Sequence, residues 1–242
     1  MTQEMHVKVR DVNLFAKLVG EHQGKPTVIM DAGYGDDSSV WKSMIMDVAE
    51  FVNVLVYDRA GLGKSDKSSN ERTSLEMVKE LNELLYHMNL APPYLLVGHS
   101  FGGVNMRLYA TNYPDEVCGL VLVDATPEDY RERFLPTMSQ EFQQAYAKQF
   151  TLECNYDEFI KSLKQIKESR QRLQIPLIVL SAGNKAHYTK ANQVLWNDMQ
   201  QEMATHSSKG EFILAEKSAH YIQNDEPEVV VHTIKRLIEE MN

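Results

Sequence analysis

Tyr94-Leu95-Leu96-Val97-Gly98-His99-Ser100-Phe101-Gly102-Gly103 carries the strongest structural signal in the chain. Its first four residues form an apolar, β-prone run, and a helical stretch containing Val104 and Leu108 follows it, so Ser100 falls at a strand-to-helix turn. A turn that tight strains the backbone of its central residue. Glycines two before and two after it keep neighbouring chain segments from colliding there. The Ser100 hydroxyl is therefore expected at the head of a helix. G-x-S-x-G also occurs by chance as a plain Gly-rich turn, and the strand before and helix after are what give this one chemical meaning. His99 is expected to belong to the packing of the turn.

On either side of it, further short β-rich runs are His6 to Val9, Leu14 to Val19, Thr27 to Met30, Val54 to Tyr57, Leu120 to Val123, Leu177 to Leu180 and Phe212 to Leu214. With Tyr94 to Val97 they make eight, several of them near-continuous Val, Ile and Leu, as expected where both faces of a strand are buried. Helical spacing separates them: Leu75, Val78, Leu81, Leu85 and Met88 form one amphipathic stripe, and Val230, Ile234, Leu237 and Met241 form another. Thr73 and Ser74 suit the start of the first helix, and Pro92-Pro93 ends its segment. This alternation predicts an α/β protein, a mainly parallel eight-stranded sheet flanked by helices, folded as a single domain over residues 1–242. From Thr126 to Gln174 the strand rhythm stops in favour of polar, helix-favouring residues. That stretch is too long for a bare loop, so residues 126–174 are expected to form a small helical lid inserted after strand 6 rather than an independent domain.

Composition narrows the function classes. The 43% hydrophobic and 24% charged residues are the balance of an ordinary globular protein. A formal net charge of -9 argues against a nucleic-acid surface, which needs clustered Lys and Arg. No apolar run approaches a membrane span, and no secretory leader is read in Met1 to Asn13. Cys118 and Cys154 belong to no C-x-x-C pair, and N-x-S/T acceptor sites are absent, which together suggest a cytoplasmic protein with free thiols. No metal is expected, there being no H-E-x-x-H and no clustered Cys and His ligands.

Four motifs, in order, resemble those of the α/β-hydrolase superfamily, over essentially the whole chain. They are Asp31-Ala32-Gly33-Tyr34-Gly35 with Trp41 after it, Tyr57-Asp58-Arg59-Ala60-Gly61-Leu62-Gly63-Lys64-Ser65, the Ser100 turn, and Ser218-Ala219-His220. The resemblance implies that Ser100 is a nucleophile, and that His220, after the last strand and before the final helix, is its general base. It also implies that backbone N–H groups of Tyr34 and Phe101 stabilise a developing oxyanion; Ala32 stands where a His is common, a change that backbone donation tolerates. Gly63-Lys64-Ser65 matches the end of a phosphate loop, but that motif needs a glycine where Asp58 stands. In the resembled family the turn is structural, its Asp and Arg bracing neighbouring loops.

The acid is the open member of the set. Its usual place follows the strand Leu177 to Leu180, where Ser181-Ala182-Gly183-Asn184-Lys185-Ala186-His187 contains no carboxylate. In some relatives the acid ends the preceding strand, and Asp124 occupies that position here. An Asp there is also frequent where the acid lies later, so Asn184 orienting the base, Glu128 or Asp129 from the lid, and a bare Ser-His dyad stay open. The implied chemistry is acyl transfer through Ser100, with a small or medium carboxylic ester as default substrate and no cofactor. Lactone, thioester, amide and carbon-carbon cleavage use the same groups, and a ligand receptor can keep the same pocket without turnover. Tyr130, Phe134, Leu135, Phe142, Tyr146 and Phe150 are the candidate pocket lining supplied by the lid.

Overall fold

The computed structural model describes residues 1–169 and 171–241 of the chain. In chain order the elements are β1 (Thr2–Val9), β2 (Val12–Val19), β3 (Thr27–Asp31), α1 (Ile45–Ala49), β4 (Val54–Tyr57), α2 (Ser74–His87), β5 (Tyr94–His99), α3 (Phe101–Asn112) and β6 (Val117–Val123). Then come α4 (Gln140–Lys148), α5 (Tyr156–Ser169), β7 (Leu173–Ala182), α6 (Lys190–Ala204), β8 (Ser207–Ala215), α7 (Ile222–Asp225) and α8 (Pro227–Glu240). The strands form an eight-stranded sheet ordered β1-β2-β4-β3-β5-β6-β7-β8. β1 and β2 make an antiparallel hairpin, β2 pairs antiparallel with β4, and every pair from β4 onward is parallel. Each of the eight β-rich runs lies inside one of these strands.

Alternation of side chains along a strand divides the core in two. On one face Leu96, Leu120, Leu122, Leu177 and Val179 pack with residues of α2, α3 and α5. On the other, Leu95, Val97, Val121, Val123, Ile178 and Leu180 pack with α1 and α8. Burying each such side chain contributes about 1.5–3 kcal/mol, so the central strands need apolar residues at consecutive positions. α3 is buried from Phe101 to Thr111, being sandwiched between the sheet and its neighbours α2 and α5, whereas α8 shows only Val230, Thr233, Ile234, Leu237 and Ile238 to the core.

Strand ends differ from the sequence reading where the chain is polar. β7 starts at Leu173, and a register shift before Pro176 lets this polar stretch pair with β8. Gln174, expected in the inserted segment, therefore belongs to a strand. The same holds for the N-terminal parts of β1 and β8, whose exposed polar residues are held by ladder hydrogen bonds that leave no apolar signature. Between β6 and β7 the chain forms a helical turn at Tyr130–Phe134, then α4, which buries no residue, then α5, which buries Phe159, Ser162, Leu163 and Ile166.

Because the strands from β3 to β8 run in parallel, their C-terminal ends share one rim of the sheet. Ser100 follows β5, Asp124 follows β6, the Gly183 to Tyr188 loop follows β7, and His220 follows β8. Chain segments far apart in sequence meet there.

Candidate active site at the strand ends

Ser100 occupies the bend between β5 and α3 with φ 51° and ψ -116°, left-handed backbone that a non-glycine residue adopts only when its surroundings impose it. They do so here. The Ser100 N–H donates to Val123 O at 3.1 Å, and Ser100 O accepts from Gly103 N at 3.1 Å and Thr126 N at 3.0 Å. A Cβ on Gly98 would stand 2.6 Å from Gly102 O, and one on Gly102 would stand 2.3 Å from Asp31 O, so both positions exclude any side chain.

His220 Nδ1 lies 2.6 Å from Asp124 Oδ2. Asp124 is fully buried and, like Ser100, sits at positive φ (44°) just past a strand. Its other oxygen, Oδ1, accepts from Trp196 Nε1 at 2.7 Å and Ala182 N at 3.0 Å. Lys185 Nζ stands 2.5 Å from Oδ2, the oxygen that also faces His220. Burial pushes this carboxyl up, but Lys185 and then the hydrogen bond from His220 pull it further down, leaving it well below the ordinary carboxylate range. The Asp124 carboxylate is therefore a fixed anion, its acceptor sites held by four donors.

The loop bearing His220 is pinned from behind. Ala219 N donates to Asp225 Oδ2 at 2.9 Å, and Ser218 Oγ donates to Glu226 Oε2 at 2.6 Å. His99 is completely buried, with Nε2 3.0 Å from the His220 carbonyl, so Nε2 carries the proton and donates. Burial, reinforced by the nearby His220, pushes the His99 imidazole down to about 3. It is a neutral buttress under the loop, as expected of a packing residue at the turn.

Tyr34 and Phe101 flank the same cavity as Ser100. Phe101 is the first residue of α3, so its N–H has no intrahelical acceptor, and neither its N–H nor that of Tyr34 is hydrogen-bonded among the described residues. The loop of Tyr34 is held by Arg59, whose guanidinium donates to Ala32 O and Gly33 O at 2.7 Å each, to both oxygens of Glu153 at 2.6 Å, and to Asp31. Glu153 in turn accepts from Gly35 N at 3.0 Å. Asp58 accepts from Ser38 N and Lys64 N, both at 2.8 Å. The Asp58-Arg59 turn thus braces loops, and a phosphate site has no room among these partners.

A cavity of about 460 Å³ opens over Ser100 and His220. Tyr130, Phe142, Tyr146 and Phe150 line it, as expected from the sequence; Phe134 and Leu135 do not. Those two are buried in a separate cluster with Tyr130, Trp196 and Met199, where they pack the helical turn onto α6. Phe159, Tyr188 and Trp196 line the cavity too and were not singled out from sequence, because aromatic residues at helical spacing give no sign of which cavity they face. Of the alternative acids, Glu128 pairs with Arg107 at 2.6 Å, Asp129 pairs with Lys167, and Asn184 is exposed, its N–H donating to Ser218 O at 2.9 Å. None of the three is brought to the His220 ring. The described residues contain no group of three or more His, Cys, Asp or Glu placed to hold a metal, and no helix among them is long and apolar enough to cross a membrane.

Comparison with known proteins agrees with this fold. Residues 26–232 match a family described as the alpha/beta hydrolase fold. The uncharacterized protein YqjL of Bacillus subtilis is 35% identical over 206 residues, which cover 84% of this chain and 80% of that one. The chain spans less than a third of the length of three further curated relatives. Among solved structures, a thermophilic esterase from Thermogutta terrifontis superposes with a TM-score of 0.72 at 19% identity, over 98% of each chain. An enol-lactonase from Burkholderia xenovorans superposes with a TM-score of 0.71 at 14% identity, over 97% of this chain and 100% of that one.

Proposed function

The chain belongs to the α/β-hydrolase fold family, and we propose that within it this protein is a serine hydrolase of carboxylic esters, with Ser100 as nucleophile, His220 as general base and Asp124 as the acid that orients it. The observation that carries the reading is the 2.6 Å contact to buried Asp124 from Nδ1 of His220, which lines the same cavity as Ser100. A proton held on Nδ1 by that carboxylate leaves Nε2 unprotonated, which is the form a base needs.

In the proposed reaction, His220 Nε2 takes the hydroxyl proton as Ser100 Oγ bonds to the substrate carbonyl carbon. The carbonyl oxygen becomes an oxyanion, which the free N–H groups of Tyr34 and Phe101 stabilise. As the tetrahedral centre collapses, the bond to the alcohol oxygen breaks and that oxygen takes the proton from His220. Water then loses a proton to His220 while its oxygen bonds to the acyl carbon. A second collapse breaks the Ser100–acyl bond, releases the carboxylic acid and returns the proton to Ser100. The aromatic walls favour an apolar acyl or alcohol group, and α4, with no buried residue, supports residues 126–169 as a roof that sets substrate size.

A panel of 4-nitrophenyl esters of increasing acyl length, assayed beside labelling by a fluorophosphonate probe, tests this. The expected result is turnover and labelling by the native chain and loss of both in Ser100→Ala. Equal turnover by Ser100→Ala would remove Ser100 as nucleophile, and an unlabelled, inactive native protein would make the chain a binding protein on this fold.

A further inference from the structure

Lys185 is a charged residue of the site that the reaction scheme leaves unused. Its side chain is only 8% exposed, yet it ends in a charge. Nζ lies 3.4 Å from the centre of the Trp196 ring and 5.0 Å from that of Tyr188, so two aromatic faces enclose the ammonium and its ionic partner is Asp124 Oδ2. Asp124 does not need a fourth donor for its placement, since Trp196 Nε1, Ala182 N and His220 Nδ1 already hold both oxygens. Burying an ammonium is costly even when it is paired, and an apolar side chain would fill the same space at lower cost. The charge itself is what distinguishes this lysine.

We propose that Lys185 is a positioning residue that sets the ionisation of His220: sharing Asp124 Oδ2 with the imidazole, its ammonium offsets the carboxylate charge and keeps the ring neutral to lower pH than an Asp-His pair alone would allow. The inference rests on the proposed roles of Ser100, His220 and Asp124. In the resting site an unopposed Asp124 would favour the imidazolium, and an imidazolium cannot accept the Ser100 proton. Lys185 makes the resting cluster electrically neutral, so a proton added to His220 meets attraction and repulsion together.

The shared oxygen fixes the size of the effect. With contacts of 2.5 and 2.6 Å to one atom, the ammonium and the ring nitrogen are at most about 5 Å apart. At the effective dielectric of partly exposed protein sites, a unit charge at that distance moves an ionisation by about two pH units. Other charged or titrating groups face His220 from the elements around it. They are His99 at the end of β5, Asp36 after β3, Tyr221 beside it, His187 in the loop after β7, and Asp225 and Glu226 behind its own loop. All of these remain when Lys185 alone is changed, so the difference between variants isolates the ammonium.

The test is kcat/KM for 4-nitrophenyl butyrate from about pH 4 to pH 10, with the rate of fluorophosphonate labelling of Ser100 measured over the same range. Lys185→Met should move the midpoint of the acid limb up by about two units in both measurements, and Lys185→Arg, which keeps the charge, should leave it low. Lys185→Gln, similar in length and uncharged, substitutes for Lys185→Met if that variant does not fold, and is read in the same way. An unmoved limb in a folded neutral variant, whether its rates are unchanged or uniformly lower, would overturn the proposal. Ser100→Ala separates the two layers: turnover that survives it sinks the nucleophile assignment, whereas abolished turnover with an unmoved limb sinks the role of Lys185 alone.

Discussion

Replacing Asp124 by Asn removes one charge and keeps the shape, and the four donors around the carboxylate determine how the site responds. If the amide nitrogen takes the place of Oδ2, it confronts Lys185 Nζ and His220 Nδ1, the two groups now 2.5 and 2.6 Å from that oxygen. The imidazole must then move its proton to Nε2 to accept from the amide, and Nε2 can no longer take a proton from Ser100. If the amide is reversed, its NH₂ faces Trp196 Nε1 and Ala182 N, and two buried donors lose their acceptor. Leaving those groups unsatisfied costs about 1–3 kcal/mol each. In the first orientation the imidazole can change tautomer and Lys185, already lowered to about 8, can lose its proton and accept from the amide, so there the damage falls on catalysis. A wrong tautomer costs on the order of 10⁴ in turnover, or about 5.5 kcal/mol of transition-state stabilisation. The assay is kcat/KM on a 4-nitrophenyl ester, paired with urea denaturation to confirm that the variant is folded. A folded Asp124→Asn protein retaining more than about a tenth of native turnover would rule out this role for the carboxylate.

Three other outcomes depend on particular contacts. Gly102→Ala forces a Cβ to within 2.3 Å of Asp31 O, where only backbone can give way, and should lower stability by about 1–3 kcal/mol in urea denaturation and displace Ser100 enough to suppress labelling; native stability and labelling would contradict the packing account of the elbow. Arg59→Met leaves Asp31 and Glu153 buried without their cation, so a loss of about 3–5 kcal/mol and a melting temperature lower by several degrees are expected, and an unchanged melt would show that the cluster is not coupled to folding. Burial lowers Lys185 to about 8 although Asp124 opposes that shift. As pH rises through that value the ammonium is lost, His220 becomes a stronger base and kcat/KM should take a further step upward. Lys185→Arg, which does not titrate there, should lack the step. A native profile flat across that range would contradict the value.

Much of this molecule is written in local patterns. The eight apolar runs announce the strands because each central strand is buried on both faces, and α2 and α8 announce themselves by burying a single stripe. Strand ends are less legible: Gln174 sits in β7 through ladder hydrogen bonds, which any residue but proline can supply. The inner wall of the cavity divides in the same way. Tyr130 and Phe134 are neighbours on one helical turn, both buried and with rings 5.3 Å apart, yet one lines the cavity and the other does not. Trp196 gives no sequence signal at all, because its importance comes from a hydrogen bond to a residue 72 positions away.

The strand-turn-helix around Ser100 is legible in the residues alone, since a bend that tight admits only glycine at its close approaches, and His220 is legible by its position after the last strand. Which group meets the imidazole is settled by the assembled fold. Asp124 and Lys185 come from the ends of different strands, and the parallel register of β6, β7 and β8 brings their charges onto one oxygen. Local residue patterns encode how each segment bends and buries itself. The balance of charge at a point where three segments converge depends on distances between them, which no single segment contains.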